Sequence, residues 1–488
     1  MGVRVRIVAC ALAGLGVLVA AAPASAELRL VEGRYLVLVR GNTEAAKGLV
    51  LSSGGVVVND LSRQIGLLVV QSSNPSFAES IRSSPLVEEV ANDVAWKAMP
   101  ATAEEAGAVE SHPGEGVPGG GPESPHADPL EPTQWSMRQI RAPQAHAIQA
   151  GSRLVEVGIL DTGIDGDHVD FADTDGSNVD CARGRDFIPV GPGTGVPDPC
   201  TDNNFHGTHV AGIVAARANG VGVVGVAPNV TLVPVKVCDA AGFCYASSTA
   251  AGITYAGDIK LEVINMSFFV DDDEFQKSTE FKCMNDPVQR AFRKANERAI
   301  QYARNQGVVP VAALGNSDND LADPPEPYTN ACDVVPAETQ GVIGTMALGP
   351  NSEKASYSNY GVGATDVAAP GGNNAVQPQP PGGRCGRQVQ STFPNNTWFC
   401  IQGTSMASPH AAGVAALIVS QYGRVGADGD VVMSPQQVEA YLQGTAVDIG
   451  LNGYDKCFGH GRIDALRAVQ HDTGGMLLAT PFCPEYDE

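Results

Sequence analysis

A serine stands at the head of a small-residue run in Gly403-Thr404-Ser405-Met406-Ala407-Ser408-Pro409, and the residues from Ala407 to Ala416 read as a closely packed helix. A hydroxyl in the first turn of such a helix has its own backbone N–H aimed at whatever it attacks, and the helix dipole adds partial positive charge there. A serine hydroxyl needs a base within hydrogen-bond reach, and histidine fits because its pKa lies near neutrality. The imidazole in turn needs a buried carboxylate to hold one tautomer and to stabilise its charged form. Asp161 closes an apolar run, Val155-Glu156-Val157-Gly158-Ile159-Leu160, and His206 opens another small-residue helix. The oxyanion of a tetrahedral intermediate needs donors. The Ser405 N–H is one, and the Asn316 side chain in Leu314-Gly315-Asn316-Ser317 is the natural second. The chemistry these types point to is acyl transfer by Asp161, His206 and Ser405.

These residues need a scaffold. Apolar runs at 155–160, 231–237, 263–266, 308–314 and 342–346 read as buried strands, with helical stretches at 206–216, 247–257 and 287–306 between them. Strands alternating with helices imply an α/β domain, a mainly parallel sheet covered on both faces. Ligands bind such sheets beyond the carboxyl ends of the strands, where Asp161 and Asn316 both fall.

Residues 27–100 read as a separate, small α+β unit. Strands at 35–39, 55–58, 65–70 and 87–96 and helices at 43–51 and 76–83 give the order β-α-β-β-α-β, the ferredoxin-like motif. Residues 101–128 lose all apolar periodicity and carry Pro113, Pro118, Pro122, Pro125 and Gly119-Gly120-Gly121, which reads as an exposed, protease-sensitive linker. The rest, 129–488, is the catalytic domain with a C-terminal tail.

The chain has 488 residues and a formal net charge of -23. That balance argues against nucleic acid as a partner, which needs a basic face. Arg4 and Arg6, an apolar run from Ile7 to Ala22, and Ala24-Ser25-Ala26 form a secretory signal over 1–26, so the expectation is a secreted, soluble protein with no membrane attachment after cleavage. Ten of the 11 cysteines follow residue 180. An even number in an exported chain implies disulfides, here expected between neighbours in the order Cys181, Cys200, Cys238, Cys244, Cys283, Cys332, Cys385, Cys400, Cys457, Cys483.

Four segments resemble the subtilisin-type serine proteases, the subtilase family: Ile159-Leu160-Asp161-Thr162-Gly163-Ile164-Asp165, His206-Gly207-Thr208-His209-Val210-Ala211-Gly212, Ala313-Leu314-Gly315-Asn316, and Gly403 to Pro409. They occur in that family's order of acid, base and nucleophile. The resemblance spans roughly 129–470 and implies a subtilisin-like three-layer fold and a serine endopeptidase acting on proteins or peptides as a monomer. Residues 27–100 are similar to the family's I9-type pro-peptide, which implies an intramolecular inhibitor and chaperone, and self-cleavage within 101–128. The family pattern selects Ser405 over Ser408, and makes His206 the base and His209 a packed residue. Calcium is implied as a structural cofactor, at positions matching Asp170, Asn219, Val221 and Val223, with Gln134 open as a further ligand; oxygen donors of this kind suit a hard cation. Substrate is expected to lie extended between the edges Gly242-Phe243-Cys244 and Ser267-Phe268-Phe269, beside Ala313-Leu314-Gly315. Phe269 stands where the family has glycine, which narrows a subsite. The run Asp271-Asp272-Asp273-Glu274 reads as a solvated loop, or as an acidic wall favouring basic substrates.

Other readings compete. Asp161-Thr162-Gly163 and Asp472-Thr473-Gly474 are the triplets of an aspartic protease, although the second follows no apolar strand. A sedolisin-type enzyme requires glutamate in place of His206 and aspartate in place of Asn316. A secreted binding protein on a retired protease scaffold is a further alternative.

Overall fold

The computed structural model describes residues 28–112, 126–189, 198–270, 286–323, 333–375, 383–426, 429–475 and 483. The secretory signal, the acidic run Asp271–Glu274, Cys283 and Cys332 lie outside them.

The N-terminal unit is built as the pattern predicts. Its elements run Leu28–Val39, helix Thr43–Ser52, Val56–Leu61, Leu67–Gln71, helix Phe77–Arg82 and Val87–Lys97. Leu28–Val39 pairs antiparallel with both Leu67–Gln71 and Val87–Lys97. Side chains alternate along a strand, so each face of the sheet is set separately. Tyr35, Val37 and Val39 pack with Phe77 and Ile81 of the unit's own helix. Leu36, Leu38, Val69 and Trp96, on the other face, join a core shared with the catalytic domain. A sheet apolar on both faces needs cover on both, and here half of the cover comes from another domain.

That cover is the pair of helices Ala246–Asp258 and Pro287–Asn305, which bury Ala250, Ile253, Phe292, Ala295 and Ala299 in the same core. Asp286 caps the second helix, accepting from Val288 and Gln289 N–H. The catalytic domain holds a seven-stranded sheet in the order Val367–Pro370, Ile343–Leu348, Val309–Ala313, Val263–Met266, Glu156–Asp161, Thr231–Lys236, Arg185–Asp186. All of its pairings are parallel. The helices His206–Ala215 and Thr404–Tyr422 cover the opposite face, completing three layers. Chain order reverses at Glu156–Asp161, whose neighbours are Thr231–Lys236 on one side and Val263–Met266 on the other. Such a switch point opens a crevice at the strands' carboxyl ends, and Asp161 is the last residue of that strand.

The linker differs from its expectation at both ends. Val109–Glu110 forms a strand against Phe399 and Cys400 of the hairpin Val389–Phe393/Thr397–Ile401. Ser111 is buried, and its N–H donates to the Trp398 carbonyl. Asp128 is also buried. Residues without apolar periodicity are held here by backbone pairing, which composition does not report. The disulfides Cys181–Cys200, Cys238–Cys244, Cys385–Cys400 and Cys457–Cys483 follow the neighbour order.

Candidate active site

Asp161 is fully buried, and both of its oxygens face His206 Nδ1, at 2.9 and 3.0 Å. Thr162 N–H also donates to Oδ1. Close approach of the histidine helix depends on Gly207: a Cβ there would sit 2.0 Å from the Gly163 carbonyl. A residue that the motifs do not include, Asp202, joins the two motif loops. Its carboxylate accepts from Thr162 Oγ1 and from the N–H and hydroxyl of Thr208. Its signal was an aspartate four residues ahead of the histidine. His209 is buried, with Nε2 on the Phe399 carbonyl, and burial pushes its pKa down to about 3, so it stays neutral and structural.

Ser405 lies in the first turn of Thr404–Tyr422, after Gly403. Pro409 sits inside this helix and has no N–H to give the Ser405 carbonyl. The freed carbonyl accepts from Ser267 Oγ at 2.8 Å, so a helix defect becomes the point where the turn that carries Ser405 is pinned to the sheet. Asn265 Nδ2 donates to that Ser267 hydroxyl, and Asn265 Oδ1 accepts from Ser408. Ser408 is thus buried and spoken for. Met266 and Leu160 are register partners, so Ser267 and Asp161 follow them side by side at the sheet's carboxyl edge. Ser405 on one and His206 on the other therefore share one crevice. The Ser405 hydroxyl donates to the Ser267 carbonyl at 3.0 Å, leaving the His206 side free of it in this state.

Asn316 is held by its oxygen, which accepts from Thr404 N–H and Thr404 Oγ1, each at 2.9 Å. That fixes the amide so that its NH2 is the end left to donate beside Ser405. Leu314 and Gly315 are set by Asn359, which donates to the Leu314 carbonyl and accepts from Ser317 N–H. Ala313 ends the strand beneath them. The ring of Phe269 lies against Gly315, 3.4 Å from where a Cβ would stand, consistent with a narrowed subsite. The edge Gly242-Phe243-Cys244 is occupied by the chain itself: Phe243, Cys244 and Tyr245 pair antiparallel with Lys97, Trp96 and Ala95. Phe268 faces Trp96 across that edge. His206 and Ser405 are only 3% and 5% exposed.

The aspartic-protease alternative is not met. Asp472 sits on Arg467, half exposed, while the Asp161 carboxylate is taken by His206.

The residues expected around calcium do meet. Asp170 is fully buried; Oδ2 accepts from Val223 N–H and Trp398 Nε1, and Oδ1 has no hydrogen-bond partner among the described residues. Burial raises its pKa well above the usual carboxylate range. A buried carboxylate with an orphaned oxygen fits a cation's coordination. Asn219 Oδ1 accepts from Val221 N–H, and its amide donates to the Val169 and Ala172 carbonyls. Gln134 is oriented from both ends by Val224: its Nε2 donates to the Val224 carbonyl and its Oε1 accepts from Val224 N–H. Asp128 was not foreseen here: one oxygen accepts from Asn219, Gly220 and Val221 N–H together.

Comparison with known proteins agrees with this geometry. The sequence profile of the subtilase family matches residues 152–461. Subtilisin Savinase from Lederbergia lenta is 33% identical over 336 residues, covering 69% of this chain and 98% of its own. Thermitase from Thermoactinomyces vulgaris is 33% identical over 340 residues, covering 69% and 96%. The crystal structure of the epidermin leader peptide processing serine protease from Staphylococcus aureus aligns with a TM-score of 0.68 over 90% of this chain and 97% of its own, at 22% identity, a likeness of fold. The profile, the identity and the crevice at Asp161 agree: this chain belongs to the subtilase family and is a subtilisin-like serine endopeptidase.

Proposed function

We propose that the chain is exported as a self-inhibited precursor and hydrolyses proteins or peptides through Asp161, His206 and Ser405. The observation that carries this is the two-oxygen seat of His206 Nδ1 on Asp161, next to a serine pinned in the first turn of its helix. Ser405 Oγ leaves the Ser267 carbonyl, gives its proton to His206 Nε2 and attacks the substrate carbonyl. Asp161 keeps His206 in the Nδ1–H tautomer and stabilises the imidazolium. The Asn316 amide and the Ser405 N–H receive the oxyanion. His206 then passes the proton to the leaving amine, and water resolves the acyl-enzyme.

Substrate adds as a strand to Gly242-Phe243-Cys244, facing Ser267-Phe268-Phe269 and Ala313-Leu314-Gly315. Residues 27–100 act as the intramolecular inhibitor, held by Glu88 on Lys294 and Arg298, by Glu89 on Arg290, and by the buried Asp93 on Ser247 N–H. Cleavage within 101–128 separates the domains. Calcium is the structural cation at Asp170, with Asn219, Val221 and Val223 around it. Secretion is supported by the N-terminal charge and apolar pattern and by the disulfides; no helix among the described residues is long and apolar enough to cross a membrane.

A fluorophosphonate probe tests the mechanism. Labelling of the wild-type enzyme, absent from Ser405→Ala, together with an unprocessed Ser405→Ala precursor, is the expected result. Labelling that survives Ser405→Ala rejects the assignment.

A further inference from the structure

The inhibitory strand does not stop at the rim of the crevice. After Lys97 pairs with Phe243, Ala98 N–H donates to the Gly242 carbonyl at 3.0 Å and Met99 N–H to the same oxygen at 3.3 Å. The next carbonyl, that of Pro100, accepts from Asn204 Nδ2 at 2.9 Å, and Asn204 Oδ1 in turn accepts from His206 N–H. The chain thus leaves the substrate edge at Met99 and reaches the histidine side at Pro100. The Met99–Pro100 peptide bond is the link that crosses the catalytic crevice.

Two features keep that bond from reacting. The Met99 carbonyl oxygen lies against the edge, 2.2 Å from where a Cβ on Gly242 would stand. Its leaving nitrogen belongs to proline. Hydrolysis requires Ser405 Oγ to bond to the carbonyl carbon, its proton passing to His206. The C–N bond then breaks as His206 returns that proton to the nitrogen. A proline nitrogen carries Cδ in place of hydrogen, and the ring restricts the backbone of the preceding residue. Upstream, Trp96 is fully buried, with ring centroids 6.4 Å from Phe268 and 5.1 Å from Phe292. Its indole N–H has no partner among the described residues, so the fit is one of apolar surface alone.

We infer that Trp96–Pro100 is a substrate-shaped strap that this enzyme binds but cannot cut, with Pro100 the residue that makes it uncuttable and Trp96, packed on Phe268 and Phe292, the anchor that holds it in place. A substrate of this enzyme accordingly carries no proline after the residue whose carbonyl is attacked. Self-cleavage is accordingly displaced beyond Pro100, and the strap stays intact on the released pro-domain. This rests on the proteolytic reading above.

The test uses the full chain. Intact-mass analysis and N-terminal sequencing are run on wild type and Pro100→Ala, with casein hydrolysis measured in parallel. The expected result is no product ending at Met99 from wild type, and conversion of Pro100→Ala to such a product, absent when Ser405→Ala is added. A wild-type cut after Met99 overturns the strap, and so does a Pro100→Ala protein that digests casein yet leaves the bond after Met99 uncut. Absence of casein hydrolysis from both proteins instead sinks the proteolytic reading and the strap with it. The peptide Ala-Trp-Lys-Ala-Met-Pro-Ala provides a second arm: it inhibits without being consumed, alanine in place of its tryptophan weakens inhibition about a hundredfold, and phenylalanine there preserves it. Equal inhibition by the alanine and tryptophan peptides overturns the anchor.

Discussion

Asp161 and Asp170 are both fully buried carboxylates close in sequence, yet their surroundings differ. Asp161 has each oxygen engaged, with His206 Nδ1 on both and Thr162 N–H on one. Asp170 has one oxygen taken by Val223 N–H and Trp398 Nε1 and the other by nothing among the described residues. A buried charge costs several kcal/mol unless it is paired. The first region is complete from the chain alone, whereas the second has an opening for a cation. The lesson is that Asp161 finds its partners within the chain, while Asp170 keeps one oxygen open, as the proposed calcium site requires.

The comparison breaks most sharply at Ser405. Ser405→Ala is expected to abolish turnover, a loss on the order of a millionfold as known from subtilisin itself, while thermal stability moves little; a steady-state assay with a melting curve reads both. Asn316→Ala comes next, with kcat down about a hundred- to a thousandfold, the size established for the same donor in subtilisin, and KM nearly unchanged. A rise in KM alone shows that Asn316 binds ground-state substrate instead. The second region is addressed by chelation: removing calcium lowers Tm by about 5–10 °C, the effect of losing a ligand present at ~100 times its Kd, and Asp170→Asn has the lowered Tm with or without calcium. A Tm indifferent to chelator in the wild-type protein makes Asp170 a structural acid only.

The smallest effect is on pH. Burial lowers His209 to about 3 and His410 to about 4. Both take up protons on unfolding, so the unfolded state binds more protons between these values and the unfolded pKa of about 6.5. Their share of the stability is therefore full above about pH 6.5 and is lost as pH falls from there to about 3–4. His146, lowered to about 4, acts in the same direction, and Glu131, Glu262 and Asp366, raised to about 7, act against it. Denaturant stability against pH is therefore compared between wild type and His209→Gln and His410→Gln, and a wild-type slope unchanged by both substitutions contradicts neutral burial of the two rings.

The constellation was readable because each of its members needs a particular local setting. Asp161 ends an apolar strand, His206 and Ser405 begin small-residue helices, and Asn316 follows a strand; strand ends and helix starts are short-range features that residue types report. The β-α-β-β-α-β order of the N-terminal unit was readable for the same reason, as period-two and helical patterns set its elements. What escaped was the set of contacts between segments far apart in the chain. Asp128, read as the end of a linker, is cradled by three N–H groups of the loop at 219–221. Val109–Glu110, read as exposed, is a strand.

From residue types and spacing alone come the reaction class and the parallel sheet, because each depends on chemistry or periodicity carried within a few residues. Tertiary structure alone decided that Pro409 frees a carbonyl for Ser267, that one face of the N-terminal sheet is completed by helices more than a hundred residues away, and that Trp96 and Pro100 lie across the crevice. Those outcomes depend on which surfaces meet, and a backbone or apolar group has no partner written next to it in the chain.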